Sequence, residues 1–334
     1  AILAPATARW RPPPAAPPWQ PQSPAARRMA CARPGCGKPS WNGLPGQYCT
    51  RSCRDRRPPA RSLVSHPAEK RALLTASSDP PPSLNPCSDA VLFPDPRGQS
   101  GSLVGLVAFY FPDREEPCDK LCRADFLSNF YDLGERGLRL EQPRLTCCGC
   151  GLGSEQRRFR TSEAAFQALK FWGQAKAFEQ LSGTEAFELK KQLKGSEDWN
   201  YHGHGDNWSA MLYVLREKFR QHPVLADGLL STGSAFLLEH NSVTGRDDVW
   251  SDNGDGAGMN WLGLQLMMIR EEIQDRRNAP SEGGEWMPLF GTLVNLANGD
   301  PLSLRAQSSW HNIVRSATEA LTLRLQRGQG WSFF

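Results

Sequence analysis

The sequence contains no long uninterrupted run of apolar residues and no strong excess of charge of either sign. None of its apolar segments approaches the roughly 18–20 residues that a membrane-spanning helix requires, so no transmembrane segment is predicted. The formal net charge of the 334 residues is only +4, which gives no overall field that attracts nucleic acid or membranes. The N-terminal stretch has no continuous apolar core, so we predict no secretory signal peptide. We therefore expect an intracellular protein, cytoplasmic or nuclear, with organelle targeting left open.

Apolar content is also low, and the composition changes along the chain. Hydrophobic residues make up 39% of the sequence, against roughly 45–50% in globular domains when glycine is counted as well. Residues 1–30 (Pro/Ala-rich) and residues 58–102 (Pro-rich, an expected linker) cannot bury enough apolar surface to fold alone, so we expect both to be disordered. Residues 31–57 between them form a small cysteine-rich segment. Globular composition extends over residues 103–278, and residues 279–334 form a C-terminal extension of unknown role.

Ten cysteines in a chain without a predicted secretory signal indicate metal ligands or free thiols more than disulfides. Four of them follow the spacing Cys-x4-Cys-x12-Cys-x3-Cys, and two close pairs of this kind can complete a tetrahedral thiolate site. The predicted ligands of this structural zinc ion are Cys31, Cys36, Cys49 and Cys53. Free cysteines in a disordered segment are the alternative, and the surrounding arginines leave nucleic-acid binding open. A second zinc site is left open for Cys118, Cys122, Cys147, Cys148 and Cys150.

The segment RTSEAAFQALKFW, residues 160–172, combines a helix start with a single line of polar residues. Thr161 or Ser162 can cap the first free amide groups of this helix. Offsets of four and three residues place Glu163, Gln167 and Lys170 on one helix face. Taken alone, such a stripe is usually the solvated face of a surface helix, so a functional role depends on the rest of the chain.

Other apolar and periodic segments predict the remaining elements of the globular part. The run LVGLVAFYF from Leu103 predicts a short buried strand. Further helices are predicted at residues 208–222, 261–277 and near 309–327. The segment LADGLLSTGSAFLLEHN predicts two short helical pieces that break near Thr232. The Gly- and Asp-rich loop that follows matches neither a phosphate-binding glycine motif nor a calcium loop.

Six segments, taken in order, resemble the NADAR superfamily, the YbiA-like proteins. They are FYF (109–111), DFLSNFY (125–131), TSEAAFQALKF (161–171), MLYVLREKF (211–219), LLSTGSAFLLEHN (229–241) and VWSDNGDGAGMNWLGLQLMMIRE (249–271). The resemblance implies an α+β fold, with a mostly helical domain and a small β-sheet. It also implies enzymes that cleave N-glycosidic bonds of ribosylated substrates, either ADP-ribosylated guanine or ribosylaminopyrimidine phosphates of the early riboflavin pathway. No organic cofactor and no membrane partner are expected.

The resemblance also carries candidate site residues, because the S-E-x-x-F-Q-x-x-K-F helix lines the active site in this family. Glu163 and Lys170 are the implied catalytic residues. A carboxylate stabilises the oxocarbenium-like state of C1–N cleavage, and a lysine of lowered pKa can attack the opened sugar as a Schiff base. Trp250 is expected to stack on the base, and Asp252 and Asn260 to hold ribose or phosphate. The expected substrate-binding set is completed by Asn129, Phe130, Gln167, Lys218 and Gly263.

The sequence departs from the family pattern at the helix and in the late loop. Ala164 and Ala165 stand where the family commonly has His and Tyr, and Ser251 follows Trp250 where it commonly has Gly. These departures bear on substrate and activity more than on fold. The alternative function is therefore a non-catalytic reader of ADP-ribose or nucleotides, targeted by the zinc segment.

Overall fold

The computed structural model describes residue 86 and residues 91–98, 101–141, 156–277 and 286–328. These residues belong to one compact unit, Pro80–Phe334. The segments expected at 1–30 and 31–57, and most of the expected linker, lie outside the described residues.

The described part of the chain has the α+β composition that the sequence predicts. Its strands are β1 (Leu92–Pro94), β2 (Leu103–Phe109), β3 (Leu138–Glu141), β4 (Gln156–Phe159) and β5 (Phe236–Glu239). Its α-helices are α1 (Pro117–Cys122), α2 (Ser162–Leu169), α3 (Gly183–Gln192), α4 (Asn207–Gln221), α5 (Pro223–Leu230), α6 (Trp261–Arg276), α7 (Met287–Leu293) and α8 (Leu304–Gly328). None of the helices in this part of the chain is long and apolar enough to cross a membrane.

A three-stranded sheet lies at the centre of the core, in the order β1-β2-β5. Strand β2 pairs with β1 in antiparallel and with β5 in parallel orientation, and Phe109 lies opposite Glu239. Strands β3 and β4 form a separate antiparallel hairpin. The buried strand predicted from Leu103 is confirmed as β2.

The sheet begins inside the segment expected to be a linker, so that expectation is wrong at its C-terminal end. Phe93 of β1 is only 1% exposed, and its ring lies 5.5 Å from that of Phe236, centroid to centroid. A disordered linker would have neither a buried ring nor residues paired in a sheet, and β1 has both.

The prediction of a second helical piece after Thr232 is also wrong. The first piece is helix α5, but the second is strand β5, and all four of its residues are buried. A short apolar run has no periodicity that separates a strand from a buried helix. Pairing with β2, which lies far away in sequence, decides the outcome.

The C-terminal extension packs into the same core. The helix predicted near 309–327 begins five residues earlier, as α8, and buries one face along its length. The buried residues of that face include Trp310, Val314, Ala317 and Leu321. The ring of Trp310 lies 6.0 Å from that of Phe236 on the sheet, so α8 is an integral part of the folded unit.

Two of the cysteines considered for a second zinc site lie in the core. Cys118 and Cys122 are buried residues of α1 that are not joined in a disulfide, and the backbone amide of Ala108 donates a hydrogen bond of 3.3 Å to Cys122 Sγ. Burial raises the pKa of the Cys118 thiol well above its usual value, which opposes the thiolate form that metals bind. This position favours a packing role for both residues. The other three cysteines of that site lie outside the described residues.

Candidate active site

Helix α2 is fixed at its start by two hydrogen bonds. Thr161 is its N-cap, and Thr161 Oγ1 accepts a bond of 3.1 Å from Ala164 N. The backbone amide of Glu163 donates to Asn129 O at 2.9 Å. The first turn of the helix is therefore attached to the segment around Asn129, and every residue of α2 is buried.

The polar stripe of α2 is a chain of hydrogen bonds inside the protein. Gln167 Nε2 donates to Glu163 Oε1 at 2.7 Å, and Lys170 Nζ donates to Gln167 Oε1 at 2.9 Å. The exposed fractions of the three residues are 7% for Glu163, 4% for Gln167 and 5% for Lys170. The prediction that they share one helix face is confirmed, and a solvated surface stripe is excluded.

Burial favours the neutral form of Glu163 and of Lys170, the two ends of this chain of hydrogen bonds. It raises the pKa of Glu163, against the opposing effects of the Gln167 donor and the Lys170 charge. Burial and then the charge of Lys190 lower the pKa of Lys170 to about 8, against the attraction of Glu163. A buried carboxyl and an amine near neutrality are common at sites of general acid–base or nucleophilic chemistry.

An aromatic wall stands beside the polar chain. The ring of Phe166 stacks on Tyr201 at 5.5 Å and meets Trp250 edge to face at 5.7 Å. Lys170 Nζ lies 4.7 Å from the centre of the Phe166 ring and 5.5 Å from that of Tyr201. The indole of Trp250 is half-buried, so this wall offers an aromatic surface next to the carboxyl and the amine.

Asp252 and Asn260 come from the same loop as Trp250, but the structure gives them a different task. Asp252 is fully buried. Asp252 Oδ2 lies 2.7 Å from His240 Nδ1 and 2.9 Å from Thr318 Oγ1, while Oδ1 accepts from two backbone amides, of Asn241 and Gly254. Four protein partners occupy this carboxylate, so it has no oxygen left for ribose or phosphate.

Asn260 closes the loop on the end of β5. It is fully buried and adopts the left-handed conformation, with φ of 50°. Asn260 Oδ1 accepts from Glu239 N at 3.0 Å, and Nδ2 donates to Leu237 O at 2.9 Å. For Asp252 and Asn260 the expected contact with substrate is replaced by a structural role: they fix the loop that carries Trp250.

Lys218 and Gly263 also support the fold instead of facing an open site. Lys218 is fully buried, and its Nζ donates to three carbonyl oxygens, of Phe126 (2.7 Å), Leu127 (3.3 Å) and Ser128 (2.9 Å). Burial lowers the pKa of Lys218 to about 7. A Cβ at Gly263 would lie 2.1 Å from Leu237 O, so this glycine lets α6 approach β5.

The two remaining predicted residues flank α2. Asn129 is 5% exposed; its Nδ2 lies 3.3 Å from Met211 Sδ, and its Oδ1 accepts no hydrogen bond from the described residues. Phe130 is half-buried and packs on Gly183, where an added Cβ would lie 2.1 Å from the ring. Asn129, whose backbone carbonyl accepts from Glu163 N, therefore has a side-chain acceptor without a partner among the described residues.

Residues 118–274 match the family model described as the NADAR domain. This part of the chain is a NADAR domain. The match covers α1 through most of α6, and it includes both ends of the polar chain and Trp250.

Curated relatives of this NADAR domain carry two kinds of name. A riboflavin biosynthesis protein of Vibrio vulnificus is 32% identical over 173 residues, which are 51% of this chain and 39% of that protein. The N-glycosidase YbiA of Escherichia coli is 43% identical over 72 residues, 20% of this chain and 43% of that protein. The chain thus spans about two fifths of the length of these relatives. The NMR structure of E. coli YbiA gives a TM-score of 0.37 at 24% identity, over 55% of this chain and 94% of that chain.

Several residues around the polar chain were not identified from the sequence. Lys190 of α3 lowers the pKa of both Glu163 and Lys170. Asp247, in the loop after β5, raises the pKa of both Glu163 and Glu239, the last residue of β5. Tyr201 supplies a ring of the aromatic wall. A signal for Glu239 was present, because it is the one charged residue in the apolar run AFLLE. Recognising it required β5 to be predicted as a strand.

Proposed function

We propose that the NADAR domain is an N-glycosidase that hydrolyses the bond between C1 of a ribosyl group and a nitrogen atom. The observation that carries this proposal is the buried chain Glu163–Gln167–Lys170 beside the aromatic wall of Phe166, Tyr201 and Trp250. The names of the relatives, N-glycosidase and riboflavin biosynthesis protein, support the same class. The substrate classes are ADP-ribosylated guanine and a ribosylaminopyrimidine phosphate.

Glu163 and Lys170, at the two ends of the hydrogen-bond chain, have different roles in this proposal. Gln167 donates to Glu163 and Lys170 attracts it, so both favour the carboxylate, which stabilises positive charge at C1 as the C1–N bond breaks. Lys170, whose pKa is lowered to about 8, has a much larger fraction of free amine at neutral pH than an ordinary lysine and can attack the opened sugar. Trp250 contacts the flat base, Phe130 and Asn129 flank the sugar, and Gln167 keeps the ends in register.

Mass spectrometry of released product tests the proposal. ADP-ribosylated guanine DNA and a ribosylaminopyrimidine phosphate are incubated with the wild-type chain and with Glu163→Gln. Release of free base by the wild type alone supports the glycosidase and identifies its substrate class. Tight binding of ADP-ribose by calorimetry without product from either protein would select the non-catalytic reader instead.

The N-terminal cysteines are proposed to hold a structural zinc ion. Cys31, Cys36, Cys49 and Cys53 lie outside the described residues, so the proposal rests on their spacing, which suits a closed tetrahedral site. Metal analysis of the purified chain should give about one zinc per chain, and Cys36→Ser should lower it. Unchanged zinc content in that variant would reject the site. Salt-dependent DNA binding that disappears on removal of residues 1–60 would identify this segment as a nucleic-acid contact.

A further inference from the structure

Glu239 is held in place through its backbone at the end of β5. Its amide donates to Asn260 Oδ1 at 3.0 Å, and its carbonyl accepts from Asp252 N at 2.9 Å. Both partners belong to the loop that carries Trp250. The same loop therefore fixes the position of Trp250 in the aromatic wall and of Glu239 at the strand end.

The side chain of Glu239 lies on the face of the sheet away from α7 and α8. Phe236 packs on the rings of Trp286 and Trp310, at 5.3 and 6.0 Å. Because successive side chains of a strand point to opposite faces, Glu239, three residues later, lies on the other face. The residue that donates to its carbonyl, Asp252, follows Trp250 by two positions, and Trp250 meets Phe166 of α2 at 5.7 Å, so Glu239 lies at the loop that packs on the helix of Glu163. Glu163 is also among the charges that raise the pKa of Glu239.

The side chain of Glu239 is buried, and one of its carboxyl oxygens has no hydrogen-bond partner among the described residues. The residue is 9% exposed, and its Oε2 accepts no hydrogen bond from any described residue. The strongest charge effects on it come from four carboxyls: Asp247, Glu163, Asp252 and Asp119. Burial is the largest cause that raises the pKa of Glu239 well above its usual value, and these neighbours raise it further. Burial and neighbouring carboxyls both favour the protonated form of an acid.

The surroundings of Glu163 and Glu239 differ, and this difference fits two different roles in the reaction. Glu163 has a hydrogen-bond donor and a nearby cation, which favour its charged form. Among the described residues nothing donates to Glu239 Oε2, and the strongest charge effects on Glu239 come from carboxyls. Pairs of carboxyls whose environments separate their pKa values commonly serve as acid and as charge stabiliser in glycosyl transfer. We propose that Glu239 is the proton donor to the leaving nitrogen. This inference rests on the proposed N-glycosidase function.

The C1–N bond breaks, and its electron pair stays on the nitrogen, which takes the proton of the Glu239 carboxyl, directly or through one water molecule. C1 becomes oxocarbenium-like beside the Glu163 carboxylate. C1 is then taken up by water, or first by the Lys170 amine and then by water. The proton lost by that water returns to Glu239, so the net change is addition of one water across the C1–N bond.

Substrates with different leaving groups test this role. A ribosylaminopyrimidine 5′-phosphate needs a proton on its leaving nitrogen, whereas a ribosyl pyridinium 5′-phosphate leaves as a neutral pyridine. Glu239→Gln should lower kcat on the first substrate by about 10²- to 10⁴-fold and change kcat on the second by less than about threefold. Glu163→Gln should slow both substrates. Glu319→Gln, at an exposed position of α8, is the control and should change neither.

Two further readouts keep the test decisive. The Gln side chain has the shape of the neutral acid, so the melting temperature of Glu239→Gln should stay close to that of the wild type. In the wild type, kcat/KM for the aminopyrimidine should decrease at high pH, and this decrease should disappear in Glu239→Gln. If the pyridinium compound is not turned over, this pH profile tests the role of Glu239 by itself. Equal losses on both substrates, or a retained alkaline fall, would overturn the role of Glu239. A wild type that is inactive on every ribosyl substrate would overturn the glycosidase itself.

Discussion

Thr318 of α8 contacts Asp252 of the loop that carries Trp250. The hydroxyl of Thr318 lies 2.9 Å from Asp252 Oδ2 and 3.0 Å from Val314 O. The charged carboxylate is the stronger acceptor, so the single hydroxyl hydrogen is expected to point to Asp252. The last helix thus reaches the candidate active site through one fully buried carboxylate, although the family match ends at residue 274.

We expect Thr318→Val to destabilise the domain. The substitution keeps the side-chain shape but removes one of the donors to a buried carboxylate, which typically costs about 1–3 kcal/mol. Urea unfolding should show this loss. Thr292→Val is a matched control, because Thr292 is exposed and donates only to Leu289 O, and its effect should stay below about 0.5 kcal/mol. Equal stability of Thr318→Val and the wild type would show that the contact to Asp252 contributes nothing.

Local sequence signals were sufficient for helices α2, α4, α5, α6 and α8 and for the polar chain, whereas α1, α3 and α7 were not predicted. The offsets of Glu163, Gln167 and Lys170 put them on one face, and the hydrogen bonds among them follow from helix geometry. A cap at Thr161 or Ser162 was also predicted from local chemistry, and in the structure it is Thr161. Such features depend on residues within one or two turns, so the sequence contains the information.

Features that depend on distant partners were not predicted. Strand β5 exists because Phe236–Glu239 pairs with β2, more than one hundred residues earlier in the chain. The burial of Asp252 depends on Thr318 and His240, and Lys218 is held by three carbonyls of residues 126–128. A polar residue in a family motif looks the same in sequence whether it contacts substrate or supports the loop that does.

Glu163→Gln is expected to abolish turnover and leave the fold intact. The amide keeps the shape of the side chain and can still pair with Gln167, but it has no negative charge to stabilise the transition state. Product release should fall by at least about 10³-fold, while circular dichroism and melting temperature stay close to those of the wild type. Activity of Glu163→Gln equal to that of the wild type would remove Glu163 from the mechanism.

Lys170 should form a covalent adduct that borohydride can trap. The pKa of Lys170 is lowered to about 8, so the free amine, and with it trapping, should increase as pH rises toward and past 8. Lys170→Arg keeps the positive charge but has no amine for a Schiff base, and it should not be labelled. Peptide mass spectrometry locates the adduct, and labelling at Lys176 in place of Lys170 would contradict the assignment.

The same pKa makes stability depend on pH. The pKa of a lysine in the unfolded chain is about 10.4, above the pKa of about 8 that Lys170 has in the folded state. Between these values the unfolded chain binds more protons than the folded one, so the contribution of Lys170 to the free energy of unfolding rises with pH across this window. Lys170→Met should flatten the rise in denaturant unfolding measured between pH 8 and about 10. An unchanged slope would mean that Lys170 is charged in the folded protein at these pH values.

Lys218→Met should cost more stability than any exposed lysine substitution. Methionine fills a similar volume but leaves the carbonyls of Phe126, Leu127 and Ser128 without their buried donor, and each unsatisfied group of this kind costs about 1–3 kcal/mol. The carbonyl of the next residue, Asn129, accepts from Glu163 N, so this loss should also loosen the start of α2 and lower kcat more than it changes KM. Urea unfolding and steady-state kinetics should be compared with Lys120→Met, since Lys120 is exposed on α1. A stable Lys218→Met protein with a raised KM and unchanged kcat would instead return Lys218 to the substrate-binding set.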